Sequence, residues 1–389
     1  MREARIAVIV GTRPEVIKMA PVFRALQATA GLVPVLCIAG QHVALMEQAL
    51  ADFSLVPDVR LPPIGDAGLA ARLGALTAQL GAALEHLRPA LTLVQGDTAT
   101  ALAGSFAAFA APCPVGHVEA GLRTGDLAAP WPEEGHRRAI AAIAALHFAP
   151  TARARDNLLR EGVAAERIHL TGNTGIDALR ATAAMPPALP DALDQALQRA
   201  HSAGRRLLLV TGHRRENFGA GLAGICAALA MLATRPDVLI LYPVHRNPQV
   251  DGPVRRALDG LGNVILAPPL DYRAFVQLLE RCHIVLTDSG GVQEEAPAFG
   301  KPVLVLRETT ERPEAVDAGV ARLVGTDPVR IVAETVRLLD DRSAYAAMAR
   351  AVSPFGDGQA AARIAAIAAA YLQDAGSLAA GDQGGSGSF

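Results

Sequence analysis

The chain has 389 residues, enough for two domains that each bury a full core. Hydrophobic residues make up 51% of it and the formal net charge is -2, which excludes a strongly basic nucleic-acid binder and gives no electrostatic attraction to an anionic membrane. No secretory signal opens the chain and no apolar run suits a bilayer span, so we expect a cytoplasmic protein without nucleic-acid or membrane partners.

Strands and helices alternate through the first half of the chain. Short apolar runs bounded by turn residues predict strands at 6–10, 33–39, 91–94, 116–119, 145–149 and 168–170. Helical segments separate most of these runs, which is typical of βαβ units and a parallel sheet. The stretch 182–206 contains MPPALP and a polar helix but no strand, and indicates a junction.

The same alternation then restarts. Further strands are predicted at 206–210, 238–242, 263–266, 284–287, 303–306 and 322–325. The sequence therefore predicts an α/β fold of two Rossmann-like doubly wound domains, at 1–175 and 176–358. A helix at 359–373 is expected to pack back on the first domain, and the Gly/Ser-rich tail 374–389 is expected to be disordered. Two such sheets facing a cleft would bring their strand-end loops together.

The loop after the strand predicted at 284–287 carries a candidate phosphate turn. Ser289, Gly290 and Gly291 let the backbone approach a ligand and open a helix whose first N–H groups are unpaired. Glu295 follows about one turn later, where a carboxylate could accept hydrogen bonds from both hydroxyls of a ribose. The alternative is a glycine turn in an ordinary α/β unit.

Basic residues follow the first strand. Arg13 and Lys18 lie five residues apart at the start of a helix and could clamp a diphosphate. The alternative is a pair of solvated charges at a helix entry.

Two acidic residues end apolar strands in the first half. Asp97 follows QG after a nearly all-apolar run, and the alternative to a chemical role is an N-cap for the next helix. Glu119 lies with His117 on a strand that should be buried, and a buried carboxylate is costly unless it is paired or tuned for proton transfer. The alternative for Glu119 is a simple ion pair with Arg123.

A charged cluster follows the only tryptophan. Glu133 and Arg137 are four residues apart and share a helix face, so they could form a surface ion pair or part of a site. His213 follows a strand and could hydrogen-bond a phosphate oxygen, or could be a core histidine. We find no metal-ligand spacing and no dinucleotide, serine-hydrolase or P-loop motif, so we expect neither metal nor cofactor.

Taken together, these segments resemble the non-hydrolysing UDP-N-acetylglucosamine 2-epimerase family. The resemblance runs in order through GTRPEVIKMAP, VQGDTATALA, PVGHVEAGLRTGD, PWPEE, TGNTGIDAL, TGHRREN, YPVHRNP, LTDSGGVQEEAPAFGKPVLVLR and ETTERPEAVDAG. It implies a glycosyltransferase-B type fold with the nucleotide-sugar in the interdomain cleft, and a homodimer. The implied reaction interconverts UDP-GlcNAc and UDP-ManNAc by anti elimination of UDP to a 2-acetamidoglucal and re-addition with C2 inverted.

The resemblance also implies roles for individual residues. Catalysis would involve three acid/base carboxylates and a histidine that steadies the departing diphosphate: Asp97, Glu119, Glu133 and His213. The substrate would be bound by Arg13, Lys18, Arg137, Leu270, Phe275, Ser289, Gly290, Gly291, Glu295 and Arg312. Bacterial members often have a second, activating UDP-GlcNAc site, which here would use Gln41, Arg214 and His245.

Some positions depart from the family pattern. His136 stands where the family usually has Asn, and Leu270 where relatives can have Gln. Val43 and Ala44 replace the polar or basic residues common near the second site, which predicts little or no sigmoidal dependence of rate on UDP-GlcNAc.

Four other functions stay open. A protein with the glycosyltransferase-B fold could instead be a sugar transferase, although the three carboxylates argue against that function. A hydrolysing relative would release free ManNAc and UDP, whereas HVEAGLR together with PWPEE favours the non-hydrolysing type. A 2-epimerase of a UDP-2,3-diacetamido uronic acid is excluded least well. A non-catalytic sensor is disfavoured because every assigned acid/base position is filled.

Overall fold

The computed structural model describes residues 3–39, 43–65, 68–128, 130–212, 214–350 and 353–381. The chain divides into two compact units, Met1–Ala178 with Phe355–Phe389, and Leu179–Pro354. Within the described ranges, no helix has the length and apolar character needed to cross a membrane.

The first unit is a parallel sheet with helices in the crossovers. Its strands are β1 Ala4–Val10, β2 Leu32–Ile38, β3 Val59–Arg60, β4 Leu91–Gln95, β5 Val115–Val118, β6 Leu146–Ala149 and β7 Ile168–Leu170. Its helices are α1 Arg13–Gln27, α2 Val43–Asp52, α3 Leu69–Leu87, α4 Ala99–Ala110, α5 Glu133–Ile143, α6 Ala152–Arg160 and α7 Thr174–Ala183, the last of which runs on into the second unit. The strand order is β3-β2-β1-β4-β5-β6-β7, so the winding direction reverses between β1 and β4.

The second unit repeats this plan. Its helices are α8 Asp191–Ser202, α9 Ala220–Leu232, α10 Pro248–Leu258, α11 Tyr272–Arg281, α12 Gly290–Ala298, α13 Pro313–Asp317, α14 Pro328–Asp340 and α15 Arg342–Met348. Its strands are β8 Arg206–Thr211, β9 Val238–Pro243, β10 Val264–Ala267, β11 Ile284–Thr287, β12 Val303–Val305 and β13 Ala321–Leu323. They lie in the order β10-β9-β8-β11-β12-β13, and all neighbours are parallel.

The predicted fold class, two Rossmann-like α/β domains, is therefore confirmed. The predicted strands agree with the observed ones to within one or two residues at each end. The second sheet has the 3-2-1-4-5-6 order, and the first has the same order with a seventh strand added. In folds of this order, ligands bind at the switch point, beyond the carboxyl ends of the strands. In the first unit that point lies between β1 and β4, and in the second between β8 and β11.

The last helix extends further than the sequence predicted. Helix α16, Ala360–Gly381, belongs to the first unit and packs on α1. The helix thus covers residues 374–381 of the segment for which disorder was expected, and the rest of that tail lies outside the described residues. Alanine is the best helix former, and the segment AGSLAA continues the Ala-rich pattern that precedes it.

Close packing fixes the turn at the end of β1. A Cβ on Gly11 would come within 2.0 Å of the Thr100 hydroxyl oxygen and 2.4 Å of the Ala39 carbonyl oxygen. Only glycine fits there, because the β1–α1 turn lies directly against the start of α4 and the end of β2.

Candidate active site

A buried carboxyl joins the two loops at the first switch point. The side chain of Glu15 accepts hydrogen bonds from the backbone N–H of Gly11 at 3.0 Å and from the Thr98 hydroxyl at 2.7 Å. Burial raises the pKa of Glu15 to about 7, against the opposing effect of these bonds. Thr98 also caps α4, so the predicted alternative in which Asp97 is the N-cap is wrong.

Arg13 is a cationic residue that directly follows the β1–α1 turn. Among the described residues, the half-buried side chain of Arg13 has neither an ion pair nor a hydrogen bond, and it lies at the start of α1. It is therefore available to an anionic ligand at this end of the sheet.

Glu119 follows β5 in a strained backbone conformation. Its φ of 65° lies in the left-handed region, which for a residue other than glycine costs on the order of 1–3 kcal/mol. The side chain is held by the Lys18 ammonium at 2.6 Å, by the Gln95 amide and by the Asn173 amide at 3.5 Å. Arg123 bonds to Glu161 at 2.7 and 2.8 Å, so the alternative in which Glu119 forms a simple ion pair with Arg123 is wrong.

Asp97 is bound from α5. The Arg137 guanidinium contacts one Asp97 carboxylate oxygen at 2.8 Å through Nε and at 2.6 Å through a terminal nitrogen. His136 Nδ1 lies 2.7 Å from the Asp97 carbonyl oxygen and must donate, since a carbonyl oxygen only accepts. The residue that departs from the family pattern thus fixes the backbone beside Asp97.

His117 fixes the other side of the same loop. Its Nε2 lies 2.7 Å from the Gly96 carbonyl oxygen and donates to it. Burial lowers the pKa of His117 to about 4, so the ring is neutral at neutral pH and acts as a hydrogen-bond donor to the backbone.

The two acids that open α5 have different surroundings. Glu134 is fully buried and accepts from the backbone N–H groups of Thr124 and Gly125 at 3.1 and 3.3 Å. Burial opposes ionisation of Glu134, but these N–H groups and nearby arginines lower its pKa overall. Glu133 is only half-buried and has no polar partner among the described residues.

Arg137 therefore does not form the surface pair with Glu133 that the spacing allowed. It bonds to Asp97 and, at 3.3 Å, to Glu134. Sequence reasoning missed this structural role of Glu134, because two adjacent acids at a helix start do not show which one turns inward.

In the second unit, the candidate phosphate turn lies at the carboxyl end of β11. Helix α12 begins at Gly290, and its N-cap residue Ser289 provides no side-chain cap. The buried Gln293 braces the turn, donating to the Ser289 carbonyl at 3.2 Å and accepting from the Thr310 hydroxyl at 2.6 Å. These two hydrogen bonds hold the turn at the N-terminus of α12, the end of a helix that favours an anion.

Asp288 links this turn to the loop after β8. Its carboxylate accepts from the Arg214 backbone N–H at 2.9 Å and from the Asn217 amide at 3.1 Å. His213 itself lies outside the described residues, but both of its flanking segments are fixed here, since Tyr242 donates to the Gly212 carbonyl at 3.0 Å.

The remaining predicted nucleotide contacts lie on both sides of that turn. Glu295 is half-buried on α12 and accepts from the Tyr272 hydroxyl at 3.0 Å. Leu270 and Phe275 are half-buried, before and within α11. Arg312 is instead 8% exposed and ion-paired with Glu294, so in this structure its guanidinium is engaged inside the protein.

Two of the three candidate effector residues have partners within the second unit. Arg214 donates to Glu311 at 3.2 Å, and His245 Nδ1 accepts from the Asn247 backbone N–H at 3.1 Å. Gln41 lies outside the described residues. Among the part of the chain that is described, no cluster of three or more histidine, cysteine or acidic residues could hold a metal ion.

The two switch points define a class of protein, a two-domain Rossmann-like enzyme with acids on one unit and a glycine turn on the other. The profile of the UDP-N-acetylglucosamine 2-epimerase family matches residues 24–369. The UDP-N-acetylglucosamine 2-epimerase of Escherichia coli (strain K12) is 50% identical over 365 residues, 92% of this chain and 97% of that protein. The chain belongs to the UDP-N-acetylglucosamine 2-epimerase family, as its motifs predicted.

Solved structures support the same relationship. The UDP-GlcNAc 2-epimerase from Neisseria meningitidis bound to UDP-GlcNAc superimposes with a TM-score of 0.84 at 39% identity, covering 92% of this chain and 98% of that one. The Methanocaldococcus jannaschii enzyme in complex with UDP-GlcNAc and UDP gives a TM-score of 0.76 at 30% identity, covering 94% and 99%.

Proposed function

We propose that this chain is a non-hydrolysing epimerase that interconverts UDP-GlcNAc and UDP-ManNAc without a redox cofactor. The observation that carries the proposal is the pair of carboxylates at the ends of the adjacent strands β4 and β5. Gln95 and Val118 are register partners, so Asp97 and Glu119 follow neighbouring strand ends. One is held by Arg137 and the other by Lys18.

The chemistry needs more than one acid/base group. The C2 proton is weakly acidic, so a positioned base must remove it while the C1–O bond breaks and UDP leaves with the bonding electron pair. Re-addition reverses these changes with a proton delivered to the opposite face of C2. One carboxylate cannot readily reach both faces, and Asp97, Glu119 and Glu133 together supply the required set.

Strain at Glu119 supports its assignment to this chemistry. A non-glycine residue keeps a left-handed backbone only where its surroundings over-determine it, and such positions cluster at functional sites. Here Lys18 of α1, Gln95 of β4 and Asn173, which precedes α7, fix the carboxylate within the first unit.

The second unit is proposed to bind the UDP portion. The turn Ser289–Gly291 at the N-terminus of α12 would take a phosphate, and Glu295 would take the ribose hydroxyls. UDP-GlcNAc and UDP in the named relatives support this ligand class. Arg13 would neutralise charge on the departing diphosphate, and His213 would do so as well, although it lies outside the described residues. Cytoplasmic location and a homodimeric state remain predictions from the sequence.

The decisive experiment is incubation of the metal-free protein with UDP-GlcNAc in D2O, followed by proton NMR. We expect UDP-ManNAc at equilibrium with UDP-GlcNAc, deuterium at C2 of the product, and slow leakage of the glucal and UDP. Full retention of protium at C2 would refute the elimination route.

Other outcomes would point to other functions. Stoichiometric release of free ManNAc and UDP would establish the hydrolysing reaction. Turnover of the UDP-2,3-diacetamido uronic acid but not of UDP-GlcNAc would reassign the substrate.

A further inference from the structure

A cavity lies in the second unit, at the opposite end of its sheet from the phosphate turn. It has a volume of about 710 Å³ and is lined by residues at the amino ends of β8, β9 and β11, including Arg206, Leu239 and His283. The turn at Ser289 follows the carboxyl end of β11, so the whole strand separates the two places. Four residues at about 3.3 Å each make that roughly 13 Å.

The cavity wall is rich in cations, and some of them are compensated. Arg206 pairs with Asp237, and Arg281 pairs with Asp194. Neither of these pairs includes Arg205 or Lys301, which also line the cavity.

Two half-buried cations remain. Among the described residues, the side chains of Arg205 and Lys301 have neither an ion pair nor a hydrogen bond, although both line the cavity. A partly desolvated cation without a counter-ion is costly, and a bound anion would remove that cost.

His283 lies in the cavity wall, close to these cations. The His283 ring stacks on Tyr345 with centroids 4.1 Å apart and planes 5° apart. Burial lowers the pKa of His283 to about 4, and the charges of Arg206 and Lys301 act in the same direction. The stacked pair and Leu197 also give the cavity an apolar wall.

We propose that this cavity binds a small phosphorylated metabolite, with Arg205 and Lys301 holding the phosphate and the His283–Tyr345 stack packing against the rest of the molecule. Arginine and lysine are the usual phosphate ligands, and the volume suits a small metabolite. The site is separate from the proposed nucleotide site and does not depend on the proposed function.

The scarcity of lysine allows a direct test. Lys18 and Lys301 are the only lysines, so reductive ¹³C-methylation, which preserves their charge, labels these two and the amino terminus. The Lys301→Arg variant assigns one NMR signal by its loss. With saturating UDP present, titration with pyrophosphate should shift the Lys301 signal saturably and leave the Lys18 signal in place.

Matched variants then identify the binding cations. Arg205→Gln should raise the pyrophosphate concentration at half-maximal shift about tenfold or more, because a charge-assisted contact is lost. Arg256→Gln removes the same charge from an exposed arginine of α10 outside the cavity and should change nothing. Calorimetry should show that Lys301→Arg still binds pyrophosphate.

Three results would overturn the proposal. The first is a Lys301 signal that does not move or that never saturates. The second is an equal effect of the two arginine variants, which would indicate general screening. The third is a response to citrate as strong as that to pyrophosphate, which would exclude a phosphate-selective site.

Discussion

Glu15 should make the stability of this protein fall as the pH rises. Glu15 is only 1% exposed, and its carboxyl group accepts hydrogen bonds from the Gly11 backbone N–H and the Thr98 hydroxyl. Burial raises the pKa of Glu15 from its ordinary 4.5 to about 7, and the charge of Asp97 adds to the effect. The protonated form is therefore favoured in the folded state relative to the unfolded state.

The sign and size follow from proton linkage. Between pH 4.5 and 7 the folded state binds more protons at Glu15 than the unfolded state does, so the contribution of Glu15 to stability is present below pH 4.5 and is lost as the pH rises through 7. A shift of about 2.5 pKa units at 1.36 kcal/mol each corresponds to roughly 3 kcal/mol in total. Of this, about 2.5 kcal/mol falls between pH 5 and pH 8.

Urea unfolding of the wild type and Glu15→Gln at pH 5 and pH 8 measures this contribution. Glutamine does not titrate. The free energy of unfolding of the variant should therefore rise by about 2–3 kcal/mol relative to that of the wild type between pH 5 and pH 8. Any effect of the substitution on the hydrogen bonds is the same at both pH values and cancels. Glu134→Gln is the matched control, because the pKa of Glu134 is lowered and its titration lies below this window. A pH-independent difference between wild type and Glu15→Gln would refute the reasoning.

Three further predictions concern the site and the last helix. Arg13→Ala and Glu295→Ala should weaken UDP binding about ten- to a hundredfold by calorimetry, whereas Asp97→Asn should keep binding and lose activity; unchanged affinity in both binding variants would mean the nucleotide lies elsewhere. His136→Asn should retain turnover because the amide can still donate to the Asp97 carbonyl, whereas His136→Leu should lower kcat about tenfold, and equal rates would contradict this role. Asp177→Ala should cost about 2 kcal/mol in urea unfolding, because its carboxylate accepts from the Ala360 and Ala361 N–H groups at 3.2 and 2.9 Å; an unchanged midpoint would exclude that anchor.

Local sequence pattern predicted much of the fold because parallel strands buried on both faces appear as short apolar runs. All five residues of β4 are buried, as its run indicated. Polar side chains that directly follow such runs must lie at the carboxyl edge of the sheet. The runs therefore predicted the strand ends that precede four of these residues: Arg13, Asp97, Glu119 and Ser289.

Elements without such a pattern were missed. Strand β3 has two residues, paired as Cys37 with Val59 and Ile38 with Arg60, and two residues cannot display a period. Helix α3 was also missed: its sequence is rich in alanine and leucine around much of its surface, and only Leu76, Leu80 and Leu84 are fully buried.

Partners across long sequence separations could not be predicted from residue types, and Lys18 shows the consequence. The sequence assigned it to the substrate, but its ammonium lies on Glu119, 101 residues away. If Lys18 turned to a bound diphosphate, Glu119 would lose this cation and keep the neutral amide donors of Gln95 and Asn173. A buried carboxylate that loses its cation accepts a proton more readily. On the proposed mechanism, movement of Lys18 from Glu119 to the leaving group would therefore also make Glu119 a stronger base. This would explain why one lysine serves both as a substrate ligand and as the ion-pair partner of Glu119.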